Sequence, residues 1–151
     1  MAYEYSTIVT EYVKGVMFAT ISNPPANVMT AALYNELVGF TTEVETDDRV
    51  RVVVFQSADP EFFIAHFDVE MILTFPTDEP AQRPEKSSDF HLMCERVRSM
   101  PKATIVKMAG RAGGGGNEFA ASCDMRYGVA GKTKINQMEV ALGILPGGAG
   151  T

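Results

Sequence analysis

Lys107-Met-Ala-Gly-Arg-Ala-Gly-Gly-Gly-Gly-Asn-Glu-Phe-Ala-Ala-Ser-Cys-Asp124 is the stretch that decides the architecture of this chain. An apolar strand, Ala103 to Met108, leads into four consecutive glycines, Gly113 to Gly116. Glu118 follows at once, and then a run of small residues that reads as a helix. Four glycines remove every side chain from a turn that enters a helix, so backbone N–H groups can approach a ligand unshielded. Such a turn suits negative charge on a small atom, with a carboxylate one turn away.

Other uses of glycine compete with that reading. The four could serve only a tight turn and the close packing of helix on strand. A phosphate-binding P-loop needs Gly-Lys-Ser/Thr, whereas Gly116 is followed by Asn117 and by Glu118, whose carboxylate would repel phosphate. A dinucleotide fingerprint belongs after a first strand, and this loop lies late in the chain. An oxyanion hole beside an acid/base group fits best.

Composition narrows the class. The 151 residues suffice for one domain with a buried core, here taken as residues 1–151. A hydrophobic fraction of 46% with 21% charged residues is ordinary for a folded globular chain. The net charge of −6 argues against a broad nucleic-acid or anionic-membrane surface, though a few local cations can still hold an anionic cofactor. Cys94 and Cys123 form neither a CxxC pair nor a metal-ligand spacing and read as reduced, buried thiols. His66 and His91 lack any zinc pattern, so no metal is expected. The start, Met1-Ala-Tyr-Glu-Tyr, has neither a basic nor an apolar leader region, and no apolar run approaches a membrane span. A cytoplasmic enzyme is the expectation.

Along the chain, Gly15 to Ile21 reads as a strand and Asn23-Pro-Pro-Ala-Asn27 as a turn. A helix is expected from Thr30, its N-cap, with Leu33, Leu37, Phe40 and Val44 on one face. Arg51-Val-Val-Val-Phe55 is nearly continuous in apolar residues, as in a sheet covered on both sides. Phe75 to Lys86, with three prolines, reads as an exposed, mobile loop. A second helix runs from about Ser88 to Met100, with Phe90, Met93, Cys94, Val97 and Met100 as a core-facing stripe. The rhythm is α/β. Periodicity leaves a β/α superhelix and a doubly wound sheet equally open.

Four blocks, in order, resemble the crotonase family, the enoyl-CoA hydratase/isomerase superfamily. Asn23-Pro-Pro-Ala-Asn-Val-Met29 is similar to its Asn-Pro-x-x-Asn-Ala-Leu turn. Phe63-Ile-Ala-His-Phe-Asp68 is similar to Phe-x-Ala-Gly-x-Asp. Lys102 to Asp124 resembles Lys-Pro-x-Ile-Ala…Gly-Gly-Gly-x-Glu-Leu…Cys-Asp. Ile135-Asn-Gln-Met-Glu-Val-Ala-Leu-Gly-Ile-Leu-Pro-Gly-Gly-Ala-Gly-Thr151 resembles Phe-Gly-Gln-Pro-Glu-x-x-Leu-Gly-x-x-Pro-Gly-x-Gly-Gly-Thr. The resemblance implies an α/β fold of the crotonase type, a β/α superhelix. In the family, helices follow the last block, so the chain looks like the spiral portion without the C-terminal helical part.

The resemblance also implies a chemistry. The substrate would be a coenzyme A thioester, with no tightly bound cofactor. Its thioester oxygen would sit between the backbone N–H groups of Phe67 and Gly115, each worth about 2.7–4 kcal/mol of barrier. Glu118 and Glu139 would be the acid/base pair. Val28, Met29, Ala65, Phe67, Met71 and Ile72 would line the coenzyme A and acyl site. Retention of both carboxylates points to an enoyl-CoA hydratase. An isomerase using one Glu, or a non-catalytic fragment that binds acyl-CoA or partner subunits, is the alternative. The full-length family member is expected as a homotrimer or a dimer of trimers.

Several positions depart from the family pattern. His66 replaces a Gly beside the first oxyanion donor and is read as a packed or solvent-bonded side chain. Glu70 stands where many members carry a Lys near the phosphates, and Met138 where Pro is usual. Asn117, between the glycines and Glu118, offers an amide to water. The Asp124–Glu139 spacing is one residue longer than usual, which leaves open a solvent-facing Glu139 at a strand end.

Overall fold

Val52–Ser57 (β3) places Val53, Val54 and Phe55 in succession in the interior, at the centre of a five-stranded sheet. The computed structural model describes residues 3–74, 78, 80 and 85–150. Ahead of β3 come β1 (Ile8–Val13), β2 (Val16–Ile21) and helix α1 (Ala31–Thr46). After it come β4 (Phe62–Ile64), α2 (Val69–Ile72), α3 (Asp89–Ser99), β5 (Ala103–Met108), β6 (Arg111–Gly113) and α4 (Gly115–Ser122). The last elements are β7 (Met125–Gly128), β8 (Lys134–Asn136) and α5 (Glu139–Leu142). The proline-rich stretch Phe75 to Lys86, expected as a loop, lies largely outside the described residues.

The large sheet has the order β1-β2-β3-β5-β7, and a second sheet has the order β4-β6-β8. Only the β1–β2 pair is antiparallel. Each later turn of the chain therefore lays one strand in the large sheet, one in the small sheet, and then a helix. That is the strand–strand–helix repeat of a superhelix. A doubly wound sheet would have kept all its strands together.

Sequence patterning anticipated the long elements. Thr30 caps α1 through its side-chain oxygen, which accepts from Leu33 N–H, and Leu33, Leu37, Phe40 and Val44 are buried. Ser88 caps α3 in the same way, accepting from His91 N–H. An edge-to-face ring stack ties the layers together: Phe40 meets Phe55 at 5.8 Å, and Phe55 meets Phe119 at 4.9 Å. Cys94 and Cys123 are buried and free, their thiols pushed up by burial to about 11 and about 12. Among the described residues no helix is long and apolar enough to cross a membrane.

Two polar clusters set the register. Asn27 is buried with φ +50°; its Oδ1 accepts from Asn23 N–H at 2.7 Å, while Nδ2 donates to Ser57 Oγ at 2.8 Å and Phe63 O at 3.2 Å. The turn before α1 is thus fastened to the ends of β3 and β4. Asp124 Oδ2 accepts from both N–H and Oγ–H of Thr104, and Asp124 N–H donates back to Thr104 Oγ, which pins β7 to β5. Lys102, at the head of its block, lies away from any cavity and donates to the Asp47 and Val50 carbonyls.

Glu36 of α1 holds the segment before β1, accepting from N–H and Oγ–H of both Ser6 and Thr7 at 2.6–2.8 Å. Desolvation pushes its pKa up, but those bonds outweigh it and bring the value from 4.5 to about 2. A depressed folded pKa means stability present above 4.5 and lost as pH falls toward about 2. Glu36→Gln is expected to melt earlier than wild type at neutral pH. Thermal melts across an acid series should show the gap narrowing through that window.

Candidate active site

Turns β6–α4 and β4–α2 meet at a single cavity. Gly114 precedes α4 with φ +47°, and its N–H donates to Asn136 O at 3.0 Å, which ties the glycine loop to β8. One residue into α4, a Cβ on Gly116 would lie 2.3 Å from the Ile64 carbonyl oxygen, so only glycine lets α4 lie against β4. Gly115 begins α4, where the first N–H groups of a helix have no partner within the helix. A Cβ there would stand 3.4 Å from Phe67 Cβ.

Phe67 is set by a parallel bridge to Met29. Met29 N–H donates to His66 O at 2.8 Å, and Asp68 N–H donates to Met29 O at 3.2 Å. This pattern turns the N–H of Phe67 itself away from Met29. Its carbonyl accepts from His66 Nδ1 at 2.8 Å. The imidazole therefore steadies the peptide at the turn, a more specific role than packing.

Glu118 lies one turn into α4 and is 1% exposed. Its Oε2 accepts from Gly148 N–H and, at 3.1 Å, from Gly150 N–H. Burial pushes its pKa up, the charge of Glu139 pushes the same way, and the glycine N–H groups pull against both; the net shift is upward. Glu139 opens α5 and is 8% exposed. Its Oε1 lies 3.1 Å from where a Cβ on Gly114 would be, and its Oε2 is buried without a hydrogen-bond partner among the described residues. Phe67, Gly115, Glu118 and Glu139 line one cavity of about 260 Å³, walled by Ile72, Phe90, Ile144 and Leu145. Two buried carboxylates thus share an apolar cavity with Phe67 and Gly115.

The chain matches the family model for enoyl-CoA hydratase/isomerase over residues 11–151. The chain belongs to this family. A Bacillus subtilis (strain 168) protein named "Probable enoyl-CoA hydratase" is 34% identical over 140 residues, covering 90% of this chain and 51% of the relative. The fatty acid oxidation complex subunit alpha of Aliivibrio fischeri is 34% identical over 133 residues, covering 87% of this chain and 19% of that one. A crystal structure titled "Crystal structure of a putative enoyl-CoA hydratase from Streptomyces avermitilis" superposes with a TM-score of 0.80 at 39% identity, covering 96% of this chain and 54% of that chain. The chain spans about half the length of the hydratases it matches. Its architecture is the crotonase β/α superhelix.

Within this crotonase fold, the four residues expected to act and the expected wall residue Ile72 share the cavity. Glu139 is a buried helix-start residue, which replaces the strand-end alternative. Val28, Ala65 and Met71 are half-buried and are not among the residues that line it. Met29 is a correction: it is fully buried in the core, so it shapes the site through its backbone bridge to Phe67 and not as a wall. The amide of Asn117 donates to Gln137 Oε1 at 2.8 Å, so its partner is protein. Glu70 is exposed on α2. Sequence reading missed Phe90, Ile144 and Leu145 as walls and Gly148 and Gly150 as donors to Glu118. Phe90 continues the apolar stripe of α3, so its spacing alone points to the core.

A raised carboxyl pKa carries a stability consequence. The ionised form of Glu118 is disfavoured in the fold, a penalty present above its folded pKa and absent below 4.5. Gln at 118 still offers an oxygen to both glycines and bears no charge. Glu118→Gln is expected to melt at or above wild type at neutral pH. The difference should close as pH falls toward 4.5, read by differential scanning fluorimetry across pH.

Proposed function

We propose that this site adds water across the C2–C3 double bond of a 2-enoyl-CoA, giving a 3-hydroxyacyl-CoA. The observation that carries the reading is that both carboxylates, Glu118 and Glu139, line the cavity that also holds the Phe67 and Gly115 backbone positions. An isomerase needs one carboxylate to move a proton between carbons, so two buried carboxylates favour hydration.

The reaction divides among the residues as follows. The thioester oxygen accepts from the N–H groups of Phe67 and Gly115, where charge grows as C3 is attacked. The start of α4 adds its dipole to the same oxygen. Water held between the two carboxyl groups bonds through its oxygen to C3 and gives its proton to one of them. The other delivers a proton to C2 as the enolate collapses, so the net addition is one water. Two carboxyl groups divide such work when their protonation differs. The upward shift at Glu118 and the unpartnered Oε2 of Glu139 mark unlike environments.

Coenzyme A is the expected carrier of the acyl group, held along Val28, Ala65, Met71 and Ile72. A cytoplasmic setting and assembly as a homotrimer or a dimer of trimers belong to the same reading.

The test is loss of the conjugated enoyl-thioester absorbance when the chain meets crotonyl-CoA. Wild type is expected to hydrate it, and Glu118→Gln to lower the rate by about 100- to 10,000-fold, the usual worth of a general acid or base. An unchanged rate in the variant refutes the role of Glu118. No loss of absorbance with wild type refutes hydration.

A further inference from the structure

We propose that Phe90 forms a braced wall of the acyl cavity and restricts the site to short-chain acyl thioesters; the inference rests on the acyl-thioester reading above. Phe90 lies in the first turn of α3. Its Cζ is 3.4 Å from where a Cβ on Gly115 would stand, and its Cε1 is 2.8 Å from the same point on Gly148. One ring edge thus abuts the Gly115 donor, and another abuts the segment whose N–H groups hold Glu118.

The ring is braced from behind. Its centroid lies 5.9 Å from that of Phe67 and 6.3 Å from that of Tyr34, and these two rings meet each other edge-on at 6.1 Å. The helix carrying it is fastened to the same segment. Ser88 Oγ donates to Gly147 O at 3.0 Å, and His91 Nδ1 donates to Gly148 O at 3.4 Å. Swinging Phe90 outward would break ring contacts, and shifting α3 would break those bonds.

Position and volume give the consequence. With the thioester oxygen at Phe67 and Gly115 and C3 between Glu118 and Glu139, further acyl carbons have only the apolar walls to follow. Among the described residues, Leu145 at 87% exposed and Ile144 at 39% are open walls of the cavity. Phe90 is a half-buried wall braced by the Phe67 and Tyr34 rings. The cavity of about 260 Å³ must hold the thioester, the water and the double bond before any tail. Larger ligands generally occupy pockets of roughly 300–1,000 Å³.

Calorimetric Kd values for butyryl-CoA and octanoyl-CoA, with the full chain as wild type, Phe90→Ala and Phe90→Leu, test this without requiring turnover. Wild type is expected to favour butyryl-CoA by at least about tenfold, and the variants to reduce that preference by about tenfold, the scale of a methylene's fit in an apolar pocket. Phe90→Leu keeps an apolar side chain behind Gly148, and circular dichroism confirms folding of each variant. An unchanged preference in a folded variant overturns the inference, as does equal binding of both ligands by wild type. Selective binding without hydration of crotonyl-CoA would sink the hydratase reading and leave this one standing. Absence of binding by wild type would overturn both.

Discussion

The site depends on α4 lying against β4 at backbone contact distance. Ile64 and Gly116 approach so closely that a single methyl group would collide with a carbonyl oxygen. Because the helix is pressed down there, its first N–H groups come level with the turn after β4, where Phe67 is held by Met29. Any added volume at that contact lifts the helix, and both backbone donor positions separate. Overpacking of this kind typically costs about 1–3 kcal/mol even where flexible side chains can adjust. Here the opposing atom is backbone, which cannot move without moving β4.

Electrostatics then makes the seated helix useful and strained at once. Glu118 is carried inward by α4 and loses water. Two glycine N–H groups replace part of that hydration, and burial still prevails in its pKa. Glu139 adds a second carboxylate with one oxygen unmatched among the described residues. An unsatisfied buried acceptor costs about 1–3 kcal/mol, more when charged. A fold meeting only structural demands would place apolar side chains there. Such local conflict is expected where a site holds groups ready for charge that develops during reaction.

What could be read from residues divides along physical lines. Thr30 and Ser88 announced their helices because a capping oxygen and a periodic apolar face are local properties. The glycine run, Glu118 and the central apolar strand were equally plain. β4, β6 and β8 were not, since three residues are too few to display a period. Nor was β1, which is mostly exposed and pairs only with β2. Separating the spiral from a doubly wound sheet required the family resemblance, because the two share a local rhythm. Met29 and Phe90 exchange the roles their sequence context suggests, because apolar spacing says which residues turn inward, not whether the interior at that depth is core or cavity. Asn117 was paired with water because its true partner, Gln137, lies twenty residues on.

Gly147 to Gly150 joins the two halves of the site. The carbonyls of Gly147 and Gly148 accept from α3, through Ser88 and His91. The N–H groups of Gly148 and Gly150 donate to Glu118 on α4. One short run of backbone thus braces the helix that carries the Phe90 wall on one side and holds the carboxylate on the other. Glycine at 148 is what lets it do both, since a Cβ there would meet Phe90, Cys94 and Glu118 together at 2.8–2.9 Å. The wall and the carboxyl group are therefore held by the same backbone segment. Displacing this segment would open the cavity toward α3 and, in the same movement, strip Glu118 of the donors that hold its charge.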